Sequence, residues 1–154
     1  MTITQRRALL AVFIVSLLTI IGAFLFQWAG YEPCPLCLQQ RWAYYAVIPL
    51  SLVFTGIARS NAGIARWGLL LIALILVANS VFGIYHAGAE WKFWPGPDTC
   101  GGTLGEGLPN LTNDPVVRCD EAAIRILGLS LAGWNAVICA ALAAVALKGA
   151  SRRG

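Results

Sequence analysis

The apolar positions of this 154-residue chain neither alternate nor fall on one stripe of a helix; they come in four long runs. These cover about residues 8–29, 42–58, 67–87 and 126–147. Runs of about 20 residues match the helix length needed to cross about 30 Å of hydrocarbon at about 1.5 Å per residue. The pattern predicts an all-α membrane protein, a single domain over residues 1–154. Its core is a four-helix transmembrane bundle with two outward loops, at about 30–41 and 88–125. The second run is the shortest and contains Pro49, which removes a backbone hydrogen bond and favours a kink.

Arg6 and Arg7 precede the first run, as in a secretory signal. That run is longer than the about 7–15 residues of a signal core, and no small-x-small site closes it. The expectation is a retained helix. Composition agrees with the membrane reading: 58% of residues are hydrophobic and 12% charged, against about 25% charged in soluble domains. The net charge of +4 does not mark a nucleic-acid partner, because the basic residues are scattered in short flanks and form no stripe.

Charge also orients the bundle. Four spans place both termini on one side, together with Arg6, Arg7, Arg59, Arg66, Lys148, Arg152 and Arg153. The other side holds Arg41, Lys92, Arg118 and Arg125. The richer side is expected in the cytoplasm. All the carboxylates (Glu32, Glu90, Asp98, Glu106, Asp114, Asp120, Glu121) fall on the opposite side, as this topology requires. The long outer loop is rich in glycine and proline and lacks apolar periodicity, so it is expected to be mobile rather than a packed domain. Trp91, Phe93 and Trp94 open it, either as an interfacial aromatic belt or as a short surface helix anchoring the loop.

The chemistry-bearing residues are the cysteines. Cys34 and Cys37 form a Cys-x-x-Cys pair in the first outer loop, and Cys100 and Cys119 lie in the second. Cys139 sits deep in the fourth run and reads as a small buried apolar residue. Four of the five thus face the compartment where disulfides form. Three readings compete for them. Structural disulfides account for Cys100 and Cys119, whose closure would add about 3 kcal/mol, but a Cys-x-x-Cys loop gains little that way. A four-cysteine zinc site normally uses two close pairs, and Cys100 and Cys119 are not close in sequence. Redox exchange uses Cys-x-x-Cys as an attacking and a resolving thiol, with a second pair on a loop that reaches it.

The surroundings favour redox exchange. Cys37 is expected at the start of the second helix, where the helix dipole stabilises a thiolate. Arg41 follows by one turn, placed to favour that thiolate or a negatively charged electron acceptor. His86, the only histidine, ends the third run at the same depth; alone it reads as an interfacial residue, and taken with Arg41 and the cysteine pair it reads as a polar contact for a ring-shaped carrier.

Cys34-Pro35-Leu36-Cys37-Leu38-Gln39-Gln40-Arg41, the four-run profile, His86 after the third run and a second cysteine pair in the long loop together resemble the DsbB family of disulfide bond formation proteins. The resemblance implies a bacterial inner-membrane enzyme with both termini cytoplasmic: a thiol:quinone oxidoreductase that reoxidises a periplasmic DsbA-like dithiol oxidase. On this expectation the catalytic cysteines are Cys34, Cys37, Cys100 and Cys119. The partner would attack a Cys100–Cys119 disulfide, with Cys100 carrying the mixed disulfide and Cys119 resolving it. Electrons would pass to Cys34–Cys37 and on to a quinone, ubiquinone or menaquinone, held near Cys37, Arg41 and His86. The DsbA–DsbB–quinone relay is already established as what keeps the bacterial periplasm oxidising, and the DsbA couple, near about −120 mV, needs a strong acceptor. The reading from a different class is a non-enzymatic membrane scaffold subunit with two structural disulfides.

Overall fold

The computed structural model describes residues 1–57, 59, 61–97 and 119–151. It contains four long helices: α1 (Ile3–Trp28), α2 (Pro35–Ile57), α3 (Ala62–Glu90) and α4 (Leu131–Ser151). Each start is closed by a side chain that accepts an otherwise orphaned backbone N–H. Thr2 and Gln5 form a capping box on α1. Asn61 Oδ1 accepts from Gly63 and Ile64 at the start of α3, and Ser130 Oγ accepts from Gly133 at the start of α4. On α2 the cap is a sulfur: Cys34 Sγ accepts the Cys37 N–H at 3.2 Å.

The helices pack in a ring, α1 on α2, α2 on α3, α3 on α4 and α4 on α1. Leu9, Val12, Val47, Leu69, Ile72 and Leu76 fill the centre. Large apolar side chains also cover the outside, among them Leu18, Phe24, Leu74 and Val81. Apolar surface on both faces is what hydrocarbon, not water, tolerates. α1, α3 and α4 are each long and apolar enough to cross a membrane. α2 is more polar, with Gln39, Gln40, Arg41, Tyr44 and Tyr45 in its first half, and it runs through Pro49 as one helix. Close helix approach rests on small residues. A Cβ on Gly149 would stand 2.6 Å from Ala8 Cβ, and one on Gly83 would stand 3.1 Å from Ala136 Cβ.

Three expectations change. Residues 126–130, expected in the fourth span, instead belong to a hairpin of β1 (Arg125–Ile126) and β2 (Leu129–Ser130). Leu127 and Gly128 turn it with φ of 52° and 86°, the two-residue geometry that matches strand twist. Trp134 Nε1 pins the hairpin to α4 by donating to Ile126 O at 2.9 Å. After Glu90 the chain turns, with no separate surface helix through residue 97. Instead Trp94 folds back on α3, stacking on Tyr85 at 6.1 Å and donating to Tyr85 O at 2.9 Å. Gly88 makes room, since a Cβ there would lie 2.0 Å from the indole. Cys139 is buried as expected but is not merely apolar. It joins Tyr44, Asn79 and Asn135 in a polar network between α2, α3 and α4.

Lys92 pairs with Asp120, tying together the two described ends of the long loop. The rest of that loop, including Cys100, Asp98, Glu106, Asp114 and Arg118, lies outside the described residues, as do Arg152 and Arg153.

Candidate functional site

The N-terminus of α2 assembles the site. Pro35 occupies its first helical position, where a missing N–H costs nothing. Cys34 is therefore the cap and Cys37 the donor one turn in. That geometry brings the sulfurs of Cys34 and Cys37 to 2.6 Å of one another, both thiols free. Cys119 is fully buried and packs in one cluster with Cys34, Leu36, Cys37 and Phe82. Cys119 itself is disulfide-bonded. Thus one cysteine of the second loop lies against the Cys-x-x-Cys pair.

His86 reaches this pair from α3, with Nε2 3.5 Å from Cys34 Sγ. Its other nitrogen, Nδ1, faces the Gln40 amide nitrogen at 3.0 Å. With the Gln40 NH2 assigned toward the ring, Nδ1 accepts and the matching tautomer carries its proton on Nε2, toward Cys34. Glu90, one turn beyond His86 on α3, brings Oε1 to 3.8 Å from the same Nε2.

The two thiols are electrically unlike. The Cys37 hydrogen bond is the largest influence on Cys34 and holds it well below the usual thiol range, at about 5. Burial opposes this, and the His86 contact adds to it. Cys37, sharing its proton with Cys34, is pushed up instead. This corrects the sequence expectation, which placed the stabilised thiolate on Cys37. The capping position, and the charge with it, belongs to Cys34.

Cys37 faces elsewhere. It lies on the wall of a cavity of about 360 Å³ between α1, α2 and α4, with Phe26, Arg41, Tyr44, Trp134 and Asn135 also on its wall. That volume is within the about 300–1,000 Å³ of small-ligand pockets. Arg41 is 9% exposed and is held by α1: Nη1 donates to Gln27 Oε1 at 2.8 Å, Nη2 to Ala23 O at 3.5 Å, and the guanidinium lies 5.2 Å from the Phe24 ring centre. His86 is not on this wall. The structure therefore separates two residues expected around one ring: Arg41 on the cavity beside Cys37, His86 on the far side beside Cys34. The cysteine and histidine ligand atoms lie within 4.8 Å of each other. Sulfurs 2.6 Å apart are nonetheless too close for two thiolates on tetrahedral zinc, whose bonds of about 2.3 Å set them near 3.7 Å.

A family model described as "Disulfide bond formation protein DsbB" matches residues 5–148. The chain belongs to the DsbB family. Among its relatives is a Disulfide bond formation protein B of Azoarcus sp. (strain BH72), 32% identical over 93% of this chain and 90% of that protein. The counterpart from Verminephrobacter eiseniae (strain EF01-2) is 32% identical over 98% of this chain and 88% of its own. That of Paracidovorax citrulli (strain AAC00-1) is 34% identical over 82% and 75%. No solved structure matches the chain. Membership makes this a membrane protein of disulfide bond formation with a general disulfide oxidoreductase role.

Gln40, Glu90 and Gln27 contact His86 and Arg41 without having been singled out in the sequence. Glu90 had a signal: it follows His86 by one helical turn. Gln40 sat within the motif itself. Gln27 had none, because its pairing with Arg41 depends on how α1 packs.

Proposed function

We propose that this protein is a thiol:quinone oxidoreductase of the bacterial inner membrane, accepting electrons from a periplasmic DsbA-like dithiol oxidase. The observation that carries the reading is the double placement of Cys37. Its sulfur touches Cys34 and also faces an apolar cavity with Arg41 on the wall. A quinone bound there supplies a two-electron, two-proton acceptor. The residues fit such a ring: the lining is largely apolar, and Arg41 and the Tyr44 hydroxyl are polar groups within reach of carbonyl oxygens.

The chain's own residues then divide the work. The Cys34–Cys37 disulfide is opened by a thiolate of the reduced second-loop pair: the Cys34–Cys37 S–S bond breaks, and Cys119, packed against Cys34, favours Cys34 as the attacked sulfur and Cys37 as the one released. The incoming electrons enter through Cys100 and Cys119. Cys37 takes over as the sulfur nearest the acceptor while His86 and the α2 cap stabilise charge on Cys34. Arg41 orients the acceptor and the aromatic walls exclude water. The bonding of the Met1 amino group to Arg59 O at 3.3 Å gathers the N-terminus with the basic α2–α3 connection, consistent with a cytoplasmic face there.

The decisive test is quinone reduction by the purified protein with a reduced DsbA-type oxidase as donor, comparing wild type with Cys37→Ser. Loss of the oxidised-quinone absorbance in wild type alone is the expected result. No reduction by folded wild type with a competent donor would overturn the reading in favour of a scaffold with structural disulfides.

A further inference from the structure

The relay just described gives Glu90 no part, yet its placement is unusual. It is the last residue of α3, beyond the apolar run that ends at Ala87, and it is 8% exposed. Its Oε1 lies 3.8 Å from His86 Nε2, and its Oε2 is buried with no hydrogen-bond partner. The same Nε2 lies 3.5 Å from Cys34 Sγ. One N–H thus faces two groups that can each carry a negative charge.

Two further groups favour the charged form of Glu90: the Ser130 hydroxyl, which hydrogen-bonds the carboxyl, and the Arg125 guanidinium nearby. Arg125 donates to the main-chain oxygen of Glu90 at 3.5 Å and lies over the Trp91 ring. Among the described residues, His86 is the only basic side chain within 4 Å of the Glu90 carboxylate oxygens, and its Nε2 is the atom that faces them. Glu32, Cys34, Cys37 and Glu121 border the same small cleft, and further acids only add negative charge. Two anions facing one N–H in a buried site repel strongly, and their titrations are coupled. Burial, the largest influence, holds the Glu90 carboxyl above its ordinary range and the charge on Cys34 adds to this, while the Ser130 hydrogen bond and the charges of His86 and Arg125 act the other way without reversing it.

We propose that Glu90 is the proton store of the Cys34–Cys37 pair, protonated while the pair is reduced and ionised once the pair is a disulfide. This deepens, and rests on, the redox reading of that pair. When the disulfide closes, the Cys34–Cys37 S–S bond forms and two electrons leave to a two-electron acceptor, a quinone or another disulfide. The protons of the Cys37 S–H and the Glu90 carboxyl leave with them. The site starts with one negative charge on Cys34 and ends with one on Glu90, so its buried charge does not change. Glu90 acts through His86 and the local field, as a positioning residue, and forms no bond to sulfur.

The test is the equilibrium of the pair with glutathione, using the full chain in lipid nanodiscs. The Cys34 peptide is quantified as thiol or disulfide between about pH 5.5 and 7.5. Glutathione keeps its thiol proton there, since ordinary thiols titrate near about 8.5, and it delivers two electrons with two protons. Cys34 stays ionised above about 5, so reducing wild type places one proton on Cys37 and one on Glu90. The equilibrium constant is then flat with pH. In Glu90→Gln one proton is released, and the constant rises about tenfold per pH unit.

A flat profile in Glu90→Gln, or a tenfold rise per unit already in wild type, would overturn the proposal. So would a tenfold rise in Glu121→Gln, an exposed acid on the same cleft. Should Glu90→Gln not fold, the oxidised-minus-reduced infrared spectrum of wild type decides instead. A protonated-carboxyl band must be present in the reduced form and vanish on oxidation, and its absence refutes the store. Neither measurement uses quinone or the partner oxidase. A pair that glutathione cannot open at any pH would count against the redox reading itself.

Discussion

The acidity of Cys34 is the property on which the chemistry turns, and Cys37→Ala tests its origin. The Cys37 side-chain hydrogen bond is the largest cause holding Cys34 near about 5 rather than 9.0. The substitution removes that bond but keeps the backbone N–H that caps α2 through the sulfur. A hydrogen bond to a charged group contributes about 1.5–3 kcal/mol, which is about one to two pK units at about 1.36 kcal/mol each. Cys34 should then titrate at about 6–7 in the variant, His86 and the cap accounting for what remains of the shift. The sign is fixed: a higher pKa means less thiolate at a given acid pH. At pH 6 the thiolate fraction falls from about nine-tenths to between about a half and about a tenth.

The assay is pulsed iodoacetamide labelling of phosphine-reduced protein across pH 4–9, with the Cys34 peptide read by mass spectrometry. An unchanged midpoint in Cys37→Ala would show that the neighbouring sulfur is not the cause. A wild-type midpoint in the ordinary thiol range would refute the site geometry altogether.

Two further substitutions separate the cavity from the scaffold. Arg41→Lys loses the fork that bridges to Gln27 and its cover over Phe24; the quinone KM should rise about tenfold, or about 1.4 kcal/mol, with the Cys34 labelling midpoint unmoved. Gly149→Leu drives a side chain into Ala8 and Leu69; it should cost about 1–3 kcal/mol, read as a lower thermal midpoint in detergent, while the folded fraction keeps the wild-type Cys34 midpoint.

What was legible in the sequence follows from what a one-dimensional pattern encodes. Runs of apolar residues report the solvent a segment sees, so the bundle could be read before any packing was known. They do not report local backbone. Ile126-Leu127-Gly128-Leu129 is as apolar as the helix it precedes and was placed inside it. Gly128 and Ser130 carried the contrary signal, a turn residue and a helix cap just before Leu131. Nor does spacing report which side of a helix faces a cavity. Cys34, Cys37, Arg41 and His86 do converge on one end of the bundle. That His86 would serve Cys34 and Arg41 the cavity depends on how α1, α2 and α3 pack.

The placement of the thiolate, by contrast, was within reach of the sequence, and the reason is Pro35. The residue before a proline is confined to extended backbone, which is also the conformation of a helix cap. Proline is itself favoured at the first helical position. Cys-Pro-Leu-Cys opening a helix therefore fixes Cys34 outside it as the cap and Cys37 at the third position, whose free N–H points back at the cap. The helix start and the second thiol then converge on the same sulfur, as the 3.2 Å N–H contact and the 2.6 Å sulfur contact show. The same proline leaves Cys37 inside the first turn, on the wall of the cavity. One residue thus separates the sulfur that holds the charge from the sulfur that faces the cavity, which is the division of labour a two-thiol relay needs.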